Sequence, residues 1–344
     1  MSAGLLAAPP APSFAHLRRL TDETGLFEHA EVLVPRRHHG YCVDDVARAL
    51  VVVCRQPVAD PDLQGLSRLY LSFLLAAQVE DGRFRNRLGV DLRWADGPSV
   101  EDCWGRALWG LGAAVAAQPA AGLSADDRAG ALAAFTRGAR WRSPSPRAMA
   151  FAALGAAAVV AVHPAHAGAR ALLLAAAQRI GAVRPGAWPW PEDRLSYANG
   201  VLPEALLAAG VALEDDALVA DGLRLLNWLL DRETRDGHLS VTPVGGSGPG
   251  DVGPAFDQQP IEVAALADAC ARAAAVTGDP RWAEGVALAV GWFLGDNDAG
   301  IGLYDEVSGG GCDGLHPLRR NENQGAESTL AALSTLQHGR RLAR

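Results

Sequence analysis

Acidic, amide and tryptophan side chains collect at five places along the 344-residue chain, each just ahead of or inside an apolar segment. The first carries His38, His39, Tyr41, Asp44 and Asp45; the second carries Glu101, Asp102 and Trp104. A third runs from Trp188 and Trp190 through Glu192 and Asp193 to Tyr197, Asn199 and Glu204. The fourth holds Asp257, Gln258, Gln259 and Glu262, and the fifth Asn321, Glu322, Asn323, Gln324 and Glu327. Together these types suit a polyhydroxylated ligand. Carboxylates and amides bond hydroxyl groups in pairs, and indole rings stack on the apolar face of a sugar. Cleaving a glycosidic bond needs two carboxyl groups, one to protonate the leaving oxygen and one to activate water or attack carbon. Crowding carboxylates raises the pKa of at least one, which keeps an acid protonated near neutral pH.

On this reading Asp45, Asp102, Glu262 and Glu327 are the expected catalytic carboxylates, with Asp44, Glu101 and Glu192 in reserve. The expected sugar contacts are His39, Tyr41, Asp44, Glu101, Trp104, Trp188, Trp190, Glu192, Tyr197, Asn199, Asp257, Gln258, Asn323 and Gln324. The expected reaction is hydrolysis of a glycoside or oligosaccharide, with inversion and without metal or cofactor. Simpler roles compete. Asp44 and Asp45 with Arg48, and Glu101 and Asp102 with Arg106, have the spacing of helix caps and intrahelical ion pairs. A lyase or sugar epimerase would need a tyrosine or histidine base and an arginine, for which Tyr41, Tyr197, His38, His39 and Arg147 are available. A non-catalytic glycan-binding protein would hold the same carboxylates too far apart for chemistry. Adjacent histidines rarely reach one ion together, and Cys42 and Cys103 read as small buried groups, so no metal is expected. Terpene cyclisation is disfavoured, because DDVAR lacks the third aspartate of a DDxxD cluster and aromatic residues are only 6%.

The elements that must position these groups repeat six times. Segments 41–54, 100–117, 145–162, 197–210, 258–276 and 323–338 each pass from a polar start into an Ala-, Leu- and Gly-rich helix. The third of them offers only Ser145 and Arg147 at its start. Between them, near 13–24, 61–78, 125–140, 164–180, 215–231 and 280–294, apolar residues recur at spacings of three and four with charges between, as on a half-exposed helix. Asp60-Pro61 and Asp279-Pro280 are N-cap and N1-proline starts. Alternation of apolar and amphipathic helices predicts an inner ring sheathed by an outer one, an all-α (α/α)6 toroid over residues 1–344, with 1–12 as a ragged extension. A helical solenoid is disfavoured by the uneven loops. Short pieces at 82–87 and 238–243 are expected hairpins after outer helices, and 245–254 (GGSGPGDVGP) an expected lid or surface loop.

Composition narrows the chemistry. All 31 basic residues are arginine, which removes Schiff-base, pyridoxal phosphate and Walker-lysine chemistry. A net charge of -8 argues against nucleic acid. No apolar run reaches membrane length, and the N-terminus lacks a basic stretch before its apolar residues, so neither a membrane span nor a signal peptide is expected. Five scattered cysteines, an odd number without a C-x-x-C pair, point to a cytoplasmic chain without disulfides. The carbohydrate is the one partner expected.

Two motifs, HGYCVDDVARAL at 39–50 and NQGAEST at 323–329, carry a likeness. Through them the chain resembles the six-hairpin glycosidase superfamily, and more closely a group of bacterial proteins sharing HGYCxDDxARAL and NQGAEST. The resemblance covers nearly the whole chain. It implies an (α/α)6 fold and a glycan context, with glycosyl transfer or partnership with mannoside-processing enzymes as the roles associated with that group. It carries no catalytic pair. No βαβ alternation and no glycine-rich phosphate turn after a strand is present, so transfer from a nucleotide sugar is not expected of this chain.

Overall fold

The computed structural model describes residues 9–343. Twelve helices follow one another among them: α1 (Ala15–Arg19), α2 (Val43–Cys54), α3 (Pro61–Ala77), α4 (Asp102–Val115), α5 (Ala125–Gly138) and α6 (Pro146–Val162), then α7 (Ala167–Ile180), α8 (Val201–Leu213), α9 (Asp216–Arg232), α10 (Pro260–Thr277), α11 (Pro280–Leu294) and α12 (Ala326–Leu342). Each even-numbered helix packs on the next, and α12 closes on α2. The odd-numbered helices lie outside: α3 on α2, α5 on α4, α7 on α6, α9 on α8, α11 on α10 and α1 against α12. This is the (α/α)6 toroid that the alternation predicts. Burial separates the rings: α6 buries 12 of its 17 residues, whereas its partner α7 buries 5 of 14.

Local chemistry sets the helix starts. Asp60 and Asp279 accept backbone N–H groups ahead of N1 prolines, and Ser124 forms a capping box with Asp127. The helix expected at 13–24 ends at Arg19, because Asp22 Oδ1 draws the Thr24 and Gly25 N–H groups into a turn. Of the expected hairpins, His238–Leu239 pairs with Thr234–Arg235. The other forms as a tight antiparallel turn, with Gln78 opposite Phe84 and the Val79 N–H on the Arg83 carbonyl, and Arg87–Leu88 beyond it also pairs with Tyr41–Cys42. Residues 1–8 of the expected N-terminal extension lie outside the described residues. Residues 9–12 are not ragged, since Arg340 Nη1 donates to the Pro9 carbonyl at 2.8 Å. No helix among the described residues is long and apolar enough to cross a membrane.

Glycine permits the tightest inner junction. A Cβ on Gly112 of α4 would stand 2.3 Å from the Gly155 carbonyl oxygen, and one on Gly155 of α6 would stand 2.1 Å from that of Leu108. Gly155→Ala is therefore expected to force α4 and α6 apart. The cost is about 2–3 kcal/mol in urea unfolding; an unchanged midpoint would refute this account of the junction.

Candidate active site

The inner helices run parallel, so their N-terminal ends gather on one face with free N–H groups pointing outward. A cavity of about 340 Å³ opens there. Asp44, Asp45 and Arg48 of α2, Arg106 of α4, Gln259 before α10 and Glu327 of α12 line it. Loops add Glu28, His29, Arg87 and Asp313.

Arg48 organises the floor. Its Nη2 donates to Asp45 Oδ1 at 2.6 Å and its Nη1 donates to Glu327 Oε2. Burial pushes the Asp45 carboxyl up to about 7; Arg48 opposes the rise, and Glu327, Glu28 and Asp44 add to it. Glu327 moves the other way. Burial would raise it, but the Arg48 and Arg106 guanidiniums prevail and hold it below the usual range. Its side chain keeps 39% of its surface open. Two carboxyls in one cavity thus have environments that push them apart, one toward the acid form and one toward the base form.

Beside this floor, Arg106 lies 3.4 Å from Asp44 and 3.5 Å from Asp102, with its guanidinium 4.2 Å over the Phe151 ring. Asp102 also accepts the Tyr197 hydroxyl at 2.9 Å. Asn86 Nδ2 donates to Asp44 at 3.0 Å. Arg87 engages Glu28, whose Oε2 is 3.6 Å from His29 Nε2. Glu28, Cys42 and Asp45 bring donor atoms within 4.8 Å of one another. Arginines already occupy both carboxylates, and burial with neighbouring carboxylates pushes the Cys42 thiol well up, so this is not a prepared metal centre.

Asp44, Asp45 and Glu327 line this cavity, Asp102 reaches it only through Arg106, and Glu262 stands apart. It is buried at the start of α10 and accepts the Ala198 and Asn199 N–H groups and Asn199 Nδ2, which ties the entry of α8 to α10. Burial and neighbouring Glu233 push it up to about 8. Alanine there would leave these buried donors without an acceptor, so Glu262→Ala is expected to lower the melting temperature by several degrees; wild-type stability would return Glu262 to the candidate catalytic set.

Most of the expected sugar contacts are structural. Trp104 is fully buried and donates to the Gly138 carbonyl, and Trp190 is fully buried and stacked on Trp228. Trp188 donates to the Glu192 carbonyl under the Arg232 guanidinium. Tyr41 is buried, donates to Asp22 and is pushed up to about 12, so it is no ready base. Gln258 sits among Ala255, Asp298 and Trp292, and Gln324 among Ser308 and Asp305. Asn323 accepts the Val32 N–H, Asp257 accepts from Gln259, and Glu192 and Asn199 hold Arg147. Trp104, Trp188, Gln258 and Asn323 thus meet backbone groups, while Tyr41, Gln324, Asp257, Glu192 and Asn199 meet other side chains. Tyr197, 42% exposed, and exposed His39 and Glu101 remain at the rim. The loop at 245–254 does not cover this cavity. Arg232 binds it through Ser247 and Gly248, over a separate cavity beside α9. Glu28, His29, Arg87 and Asp313 were not foreseen; their segments follow no inner-helix pattern, and only the adjacent Glu28-His29 pair hinted at chemistry.

No description of a known family matches the sequence, and no curated protein does. Solved structures do match. A sugar epimerase from a ruminal bacterium aligns at TM-score 0.66 and 14% identity over 95% of both chains. Cellobiose 2-epimerase from Bacillus thermoamylovorans B4167 aligns at 0.68 and 10% over 95% of both. A GH family 9 endoglucanase, J30, aligns at 0.61 and 14% over 93% of this chain and 74% of that one. The fold is thus an (α/α)6 toroid of the kind found in enzymes that process sugars.

Proposed function

We propose that this protein is a carbohydrate-processing enzyme that hydrolyses a glycosidic bond in the cavity at the N-terminal face of the inner ring. The observation that carries this reading is the Asp45–Arg48–Glu327 triplet: two carboxyls on one guanidinium, one biased toward the protonated state and one toward the ionised state. Asp45 serves as general acid to the leaving oxygen, and Glu327 as the base that activates water. Asp102, Arg106 and Tyr197 hold substrate hydroxyls at the rim. No metal or cofactor takes part. The sugar-processing neighbours support the carbohydrate, and their variety leaves the reaction to experiment. A screen of aryl glycosides and oligosaccharides tests it, mannosides and glucosides first. The anomer released first distinguishes inversion, the expected outcome, from retention.

The pH profile follows from the two carboxyls. The acid must be protonated, so kcat/KM is expected to fall as pH rises through about 7. The base, held low, keeps the acidic limb below the ordinary carboxylate range. A rate that climbs through pH 7 would contradict Asp45 as the acid.

Epimerisation or isomerisation is the second reading, carried by His29. Its imidazole lines the cavity beside Glu28, where it has the chemistry to abstract a proton next to a sugar carbonyl. Incorporation of solvent deuterium into a recovered free sugar, without bond cleavage, would decide for it.

A further inference from the structure

Below the polar cavity, on the axis of the ring, lies a second chamber of about 50 Å³. All six inner helices contribute to its wall, with Val51, Trp109, Phe151, Val201, Ala264 and Leu330 as one residue from each. Trp109 and Phe151 stack at 5.6 Å between ring centroids. Ionic groups lie at its two ends. At the upper end are Arg48, Arg106 and Glu327, which also form the floor of the polar cavity. At the lower end Arg55 pairs with Asp268 and Arg272 with Glu204.

Close-packed interiors carry few voids larger than a water molecule, and each costs stability. Between the ionic groups at its ends the wall is apolar, so a water at the middle of the chamber lacks the two to four polar partners it needs. Small residues, Ala264 and Ala331, keep the space open where larger ones would close it. The chamber admits a methyl or ethyl group and excludes a sugar ring. The chamber and the polar cavity share Arg48, Arg106 and Glu327, so a group that reaches it between these side chains is attached to whatever lies in the polar cavity.

We propose that this chamber is an apolar subsite for a methyl group on the sugar, carried as an O-methyl ether or as the C6 methyl of a 6-deoxy sugar. The proposal rests on the sugar-processing reading above. It assigns Ala264 and Ala331 the role of specificity determinants.

The test pairs 4-nitrophenyl glucosides, mannosides and galactosides with their 6-deoxy and mono-O-methyl counterparts, titrated calorimetrically into the intact protein. For at least one pair the alkylated member is expected to bind at least about tenfold more tightly, the usual worth of a filled apolar pocket. Ala264→Val and, independently, Ala331→Val fill the chamber. Both are expected to fold with an unchanged or raised melting temperature, to keep the affinity for the plain sugar and to lose the preference. Equal binding across every pair, no binding by any alkylated member, or a preference that survives both substitutions would overturn the proposal. The titration reads binding and not turnover. A protein that prefers the alkylated sugar but cleaves none would sink the hydrolase reading and leave the subsite standing.

Discussion

Asp45→Asn is expected to lower turnover by about 10²–10⁴-fold, the usual contribution of a positioned acid or base, and Glu327→Gln by a similar factor. The two losses should not multiply in the double variant, because acid and base act in one step. The fold should survive. Asparagine mimics protonated Asp45 and still accepts the Arg48 N–H that Asp45 Oδ1 accepts. Stability gives an independent readout. The Asp45 pKa is raised by folding, so its contribution is complete below the unfolded value of about 4 and is lost as pH rises through about 7. Asp45→Asn removes that loss, so the variant should be no less stable than wild type at pH 8. The two losses have different signatures: a merely structural Asp45 would cost stability and spare kcat. Full activity in both single variants would remove this pair from the mechanism.

The second large effect concerns the opposite end of the ring. Asp268 of α10 is buried and accepts from Arg55 at the end of α2 at 2.7 Å, from Ser334 of α12 at 3.1 Å, and bonds His338 of α12. This network spans the seam where α12 closes on α2, the point at which the last hairpin must find the first. Burial would raise the Asp268 carboxyl, but Arg55 and His338 hold it well below the usual range. Removing one partner of such a cluster leaves the others buried and uncompensated. Asp268→Ala is therefore expected to cost about 3 kcal/mol in urea unfolding, at the low end for buried pairs because the Arg55 side chain is 25% exposed. A folded pKa below the unfolded one gives stability that is present above pH 4 and lost as pH falls, so the difference between variant and wild type should shrink toward acid. A loss below 1 kcal/mol, or one independent of pH, would show that apolar packing alone closes the ring.

These two clusters show how unevenly the chain discloses itself. The helices were legible because each rests on information within one or two turns: Asp60 and Asp279 ahead of prolines, glycine and alanine along α4 and α6, charges spaced along α9. Their alternation was enough for the ring. At the site, Asp44, Asp45, Asp102 and Glu327 were legible as acids at inner-helix starts. Their rank was not. Glu262 and Glu327 are both acids in the first turn of an inner helix. One meets the backbone of residues 198 and 199, and the other meets Arg48, 279 positions away in sequence. The amides and tryptophans are hard to rank for the same reason: a side chain suited to a hydroxyl group is equally suited to a loop's backbone N–H or C=O or to a neighbouring polar side chain.

By itself the sequence determined the twelve helices, their sorting into inner and outer, and the face on which polar groups would collect, because helix periodicity and capping are short-range. Tertiary structure alone decided which carboxylates share a cavity, which arginine joins them, that Glu28 and His29 complete its wall, and that an apolar chamber lies beneath. Those facts depend on distances between hairpins far apart in the chain. Burial and charge at such contacts set each pKa, and no local pattern encodes them.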